Sequence, residues 1–182
     1  MAQPQGSSTR PTREGMMTGL FRDRESAERA YESLRARGYA QDDVNVLMTD
    51  EARTRWFPPE GQATTELGSK ALEGAGVGGA IGGTVGALLA VLAATATIAL
   101  PGIGLLAAGP IAAALAGAGA GSAAGTLIGA LVGSGIPEDR AKVYEAGLKG
   151  GGIVMGVSPR SDEDATYLER EWRSSRGEHI YQ

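Results

Sequence analysis

Apolar residues follow two periods in the first fifty positions, one typical of strands and one typical of a helix. The apolar run at 16–21 predicts a strand. The following apolar residues recur every three or four positions and predict a helix, with Asp23 as its N-cap and Gly38 at its end. A second apolar run at 44–48 predicts another strand.

The same pattern returns near the C-terminus. Pro137 predicts the first position of a helix, and the apolar run at 153–157 predicts a strand. Ser161 resembles the start of a capping box and begins a further helix, whose apolar face includes Trp172 as a core residue. Residues 178–181 can form a short last strand.

These patterns predict an α+β fold in which two strand–helix–strand units complete one another. Two such units close into a four-stranded antiparallel sheet with helices on one face, the ferredoxin-like βαβ–βαβ arrangement. Residues 16–70 supply the first half and its linker, and 137–182 supply the second half. Residues 1–15 predict a disordered tail, and 71–136 are the segment inserted between the halves.

The inserted segment has an unusual composition. From Gly74 to Pro137 the chain contains no Asp, Glu, Lys, Arg or His. Glycines recur every four residues in two series, which places small residues along one ridge of a helix and allows close helix packing. The two series predict helix-packing or oligomerisation sites at Gly74, Gly78, Gly82 and Gly86, and at Gly117, Gly121, Gly125, Gly129 and Gly133.

A Gly/Ala-rich helical hairpin is the predicted structure of this segment. Pro101, Gly102 and Gly104 separate the two series and predict the turn. Each arm would have roughly 26 residues, about 39 Å of helix, enough to cross a bilayer core of about 30 Å. Because the flanks carry Lys and Arg while the tip carries no charge, both termini are predicted to be cytoplasmic.

Membrane insertion has two competitors. The first is a soluble cytoplasmic homo-oligomer, a cage or ring, in which the hairpins form a shared protein core. The second is a small-ligand sensor, which only the analogy of the ferredoxin-like fold supports. A soluble hairpin with an outer surface should show one polar stripe, and neither arm has one, which favours the membrane.

Several motifs are similar to those of the bacterial general-stress-protein-like domain family. They are GLFRDRESAERAYESLRARGY, PGIG, AAGP and GIPEDRAKVYEAGLKGGG, and the similarity spans residues 16–182. The resemblance implies a ferredoxin-like domain split by a glycine-rich hairpin, a stress-related role, membrane association and no defined enzymatic site. The W-F-P-P sequence at 56–59 departs from the charged helix usual there in the family.

Composition and motifs argue against most chemistry. A net charge of −4 argues against nucleic acid as a partner, and the absence of Cys excludes thiol nucleophiles and Cys-ligated metals. The single histidine, His179, is predicted to lie on the surface. The sequence at 74–79 matches the dinucleotide-binding motif G-x-G-x-x-G, but no buried strand precedes it and no acidic residue follows about twenty positions later. We therefore expect no catalytic, metal-binding or cofactor-binding residues and no small-molecule ligand. The expected function is that of a non-enzymatic protein that associates with other copies of itself and with a lipid bilayer.

Overall fold

The structure is a computed structural model that describes residues 15–58, 96–100, 103–112, 127–133 and 135–182. Its strands are β1 (Met17–Phe21), β2 (Val44–Thr49), β3 (Ala96–Leu100), β4 (Ile103–Ala108), β5 (Ile153–Val157) and β6 (Glu178–Tyr181). Its helices are α1 (Arg24–Ala36), α2 (Asp50–Trp56), α3 (Leu127–Gly133), α4 (Glu138–Lys149) and α5 (Asp162–Ser174). The fold is therefore α+β.

One antiparallel sheet contains all six strands in the order β3-β4-β2-β5-β1-β6. β1 and β5 pair along their whole length, from Met17 opposite Val157 to Phe21 opposite Ile153. β2 lies on the other side of β5, and β6 lies on the other side of β1. Two strands from distant parts of the chain, β1 and β5, thus pair inside the sheet, so the two regions fold together.

Local capping explains why α1 and α5 begin where the sequence predicts. The Asp23 carboxylate accepts the backbone N–H of Ser26 at 2.8 Å, and the Ser161 hydroxyl accepts that of Asp164 at 3.1 Å. Pro137, the predicted first residue of a helix, is instead the N-cap of α4, which begins one position later at Glu138. These contacts depend only on neighbouring residues, and the short sequence pattern is therefore sufficient to predict them.

Helices cover both faces of the sheet, whereas the sequence predicts helices on one face only. The first face packs against α1, α2 and α5 around the fully buried Trp172, whose ring meets Phe21 edge-on at 5.5 Å. The second face packs against α3 and α4, with Tyr144 at its centre. Leu20, Leu47 and Val154 point into this second cluster, so one-sided burial would expose them.

The prediction of helical arms is wrong for 96–100 and 103–108. These residues form β3 and β4, which extend the predicted four-stranded sheet beyond β2. Residues 1–14, 59–95 and 113–126 lie outside the described residues, and with them most of the predicted tail, linker and arms. In the part of the chain that the structure describes, no helix has both the length and the apolar character to cross a bilayer.

Helix α2 is an element that the sequence analysis misses. Thr49 caps it through the backbone N–H of Ala52 at 3.1 Å, and the helix ends at Trp56 within the W-F-P-P sequence. The Trp56 indole Nε1 donates to the carbonyl oxygen of Gly151 at 2.8 Å. The indole of Trp56 therefore fixes the end of α2 against the glycine turn before β5.

Candidate interaction site

The hairpin of β3 and β4 is the feature that links the uncharged segment to the folded domain. β4 pairs with β2 from Val46 opposite Ala108 to Thr49 opposite Leu105. β3 pairs with β4 without a register shift, from Ala96 opposite Ala107 to Leu100 opposite Ile103. β3 is therefore the outermost strand at this end of the described sheet, and it belongs entirely to the uncharged segment.

Side chains of β4 anchor the hairpin in both cores. Leu106 and Ala108 join the first-face cluster, and Leu105 and Ala107 join the second-face cluster. All four are at most 5 % exposed, which removes their apolar surface from water on both sides of the sheet. The hairpin is thus an integral part of the domain.

Asn45 holds the chain where it leaves β4. Its side chain is 4 % exposed, and its Oδ1 accepts the backbone N–H of Ile111 at 2.6 Å. Gly109 precedes this bond with a φ of +86°, and a Cβ at that position would collide with the carbonyl of Val44. One buried amide and one left-handed glycine therefore direct the chain from β4 back over the second face.

Gly104 does not lie in a turn between helices, contrary to the prediction. It lies in β4 opposite Ala99, where a Cβ would collide with the carboxylate of Asp50 at the start of α2. The absence of a side chain lets α2 approach the hairpin closely. Pro101 and Gly102 lie outside the described residues.

The predicted glycine ridges are mostly outside the described residues. This applies to Gly74, Gly78, Gly82, Gly86, Gly117, Gly121 and Gly125. Gly129 and Gly133 lie in α3, where the buried residues are Leu127 and Leu131. Each glycine follows a buried leucine by two positions, about 200° around a helix, so the glycines lie opposite the leucine face. Gly133 is exposed.

The opposite end of the sheet has a different character. The pairing of β6 with β1 shifts register between Thr18 and Leu20, which marks a bulge. His179 lies in this strand with a left-handed φ of 48° and is exposed, as predicted. Glu178 forms an ion pair with Arg22 at 2.9 Å. Strand β6 is thus irregular and charged, whereas β3 is regular and uncharged.

A groove of about 600 Å³ lies between α1 and α5. Its arginines are already engaged, because Arg29 and Arg176 both contact the carboxylate of Glu25, at 2.7 and 3.7 Å. No group of three or more potential metal ligands occurs in the described part of the chain. Two serine hydroxyls of the groove donate to backbone carbonyl oxygens, Ser33 to Ala30 at 2.7 Å and Ser174 to Glu171 at 2.8 Å.

Tyr144 is a buried phenol at the contact between α4 and the sheet. Burial raises its pKa to about 12, because α4 holds the phenol against the second face of the sheet. The hydroxyl lies 2.6 Å from Thr18 Oγ1 and donates to the carbonyl oxygen of His179 at 3.0 Å. This phenol remains neutral at physiological pH and connects α4 to β1 and β6.

No protein-family model, curated protein or solved structure matches the chain. Functional inference therefore depends on the geometry above. Three features of the structure are not predicted from the sequence: the β3–β4 hairpin at the edge of the sheet, helix α2, and the role of Asn45. Asn45 stands out in the sequence because it is an amide inside an otherwise apolar strand.

Proposed function

We propose that this protein is a non-enzymatic, self-assembling protein whose copies associate through the uncharged segment. The observation that carries the proposal is the position of β3 and β4, which places the middle of that segment at one end of the domain sheet. An uncharged outer strand is typical of a surface that another polypeptide covers. The resemblance to general-stress-protein-like domains adds a stress-related role.

The fold of the domain that would assemble is, in this proposal, a ferredoxin-like core enlarged by an inserted hairpin. The order β2-β5-β1-β6 supports this, because the two strand–helix–strand units interleave with their first strands at the centre. Helices α1 and α5 contact one another on the first face, which also supports it. Helix α4 and the β3–β4 hairpin are additions to that core.

Membrane attachment is the second candidate, favoured by the absence of charge from Gly74 to Pro137. Residue 58 and β3 both lie in the domain, and only 37 residues connect them. Two helical crossings need about 40 apolar residues. In this candidate the segment therefore enters the bilayer from one side and returns, instead of crossing it twice. The predicted ridge glycines would pack between copies or against lipid in either case.

The test is the mass of the full-length protein without detergent, measured by sedimentation equilibrium over a wide concentration range. We expect a mass above that of the 18.6 kDa chain that rises with concentration and reaches a multiple of it. Flotation with vesicles of neutral and anionic phospholipids runs in parallel. A monomer at every concentration would contradict self-assembly, and a monomer that floats would establish the second candidate in its place.

A further inference from the structure

The two ends of the sheet differ in how well they resist pairing with another strand. Natural sheets protect their edges with bulges, charges or prolines. β6 has a bulge, a left-handed residue and the charged Glu178. β3, with the sequence ATIAL, has five paired residues without a shift, no charge and no proline. Of the two edges that the described strands form, only the β3 edge is therefore suited to pairing.

The register identifies the backbone groups that β3 presents outward. Leu100 and Ile103 flank a two-residue connection, where the closing pair of an antiparallel hairpin exchanges both hydrogen bonds. Hydrogen-bonded and non-bonded pairs alternate along such a ladder, so Ala96 and Ile98 also bond to β4. The N–H and C=O groups of Thr97 and Ala99 therefore point away from β4.

We infer that β3 pairs with β3 of a second copy, antiparallel, about a two-fold axis at Ile98. In this register Thr97 of each copy faces Ala99 of the other, which forms about four main-chain hydrogen bonds. The two six-stranded sheets then become one continuous sheet. The inference rests on the proposed self-assembly and assigns its interface.

Charge favours a second copy as the occupant of this edge. Each copy has a net charge of −4, so most pairs of surfaces repel one another. The edge belongs to a stretch without any ionisable side chain, where two copies meet without direct like-charge contact. A two-fold interface also requires a self-complementary surface, and a short antiparallel strand centred on its own axis meets that requirement.

The first test measures backbone amide exchange of Thr97 and Ala99 by NMR in the full-length protein, below and above the concentration at which mass increases. We expect both amides to exchange at least about tenfold more slowly in the assembled protein. The inward-facing amide of Ile98 is the internal reference and should be protected at both concentrations.

The second test replaces one outward donor. Ala99→Pro removes an N–H that the β3–β4 ladder does not use, and proline is tolerated on edge strands in such positions. We expect the mass of the assembled protein to fall about twofold, with the circular dichroism and cooperative unfolding retained. Ala99→Ser keeps the N–H and is the matched control, which should assemble as the parent does.

The outcomes separate this interface from assembly itself. If the protein assembles while Thr97 and Ala99 still exchange rapidly, the edge interface is wrong and self-assembly stands. If the protein is monomeric and both amides are protected at every concentration, another part of the same chain covers the edge, and both proposals fail. An Ala99→Pro variant that folds and keeps the parent mass would also overturn the edge interface.

Discussion

The buried phenol of Tyr144 makes the stability of the fold dependent on alkaline pH. In the folded protein its pKa is raised by burial to about 12, although Thr18 and Arg140 act in the opposite direction. In the unfolded chain a tyrosine titrates at about pH 10. Because the folded state keeps the proton longer, the unfolded state is favoured progressively as pH rises between these two values.

The size of the effect follows from the difference between the two pKa values. The stability that the neutral phenol contributes is complete below about pH 10 and declines as the pH approaches 12. For a difference of about two units, the free energy of unfolding falls by about 1.4 kcal/mol at pH 11 and about 2.3 kcal/mol at pH 12. Burial also raises the pKa values of Tyr31 and Tyr39, so these two phenols likewise lower the free energy of unfolding of the parent protein as the pH rises.

The Tyr144→Phe variant isolates the contribution of this one residue. It loses the hydroxyl contacts with Thr18 and the His179 carbonyl, which should lower the free energy of unfolding by about 1–2 kcal/mol at neutral pH. Urea unfolding of both proteins from about pH 8 to pH 12 gives the difference directly, since the other groups titrate in both. We expect the difference to vanish at about pH 11 and to reverse by about pH 12. A difference that stays constant over this range would refute the argument.

Two further substitutions test the parts of the domain that adjoin the uncharged segment. Asn45→Leu leaves the buried N–H of Ile111 without its acceptor, so the free energy of unfolding measured with urea should fall by about 1–3 kcal/mol; an unchanged value would contradict this role. Gly133→Leu adds a large side chain on the exposed side of α3 and should lower the assembled mass if the glycine ridge packs between copies. Lys142→Leu on the exposed surface of α4 is its control, and equal masses for the two variants would count against the ridge.

The elements that the sequence predicts well are those that depend on near neighbours. Asp23 and Ser161 cap helices through residues three positions later, and the apolar stripes behind them identify the buried sides. The central strands follow from short apolar runs. α2 is not among the predicted elements, although Thr49 and the acidic residues after it are typical of a helix start.

The hairpin of β3 and β4 could not be predicted in the same way because its partner is distant. Glycine and alanine at four-residue spacing are typical of a helix with one ridge of small residues, and high hydropathy is typical of a membrane-spanning helix. Both patterns therefore favour a helix. The decisive contact is with β2, about sixty residues away. Local signals for strands were nonetheless present, in the β-branched residues Thr97, Ile98 and Ile103 on either side of a Pro-Gly pair.

The apolar runs of β1, β2 and β5 contain the physical reason why the sheet needs a second helical layer. A strand with one solvated face alternates between apolar and polar residues, whereas a strand buried on both faces is apolar throughout. All three runs are nearly continuous, and their second-face residues meet side chains of the uncharged segment, including Leu127 and Leu131. Part of that segment is therefore uncharged because it fills the interior of its own domain. Contact with another copy or with lipid is needed only to explain why the rest of the segment, such as the outer edge of β3, is uncharged.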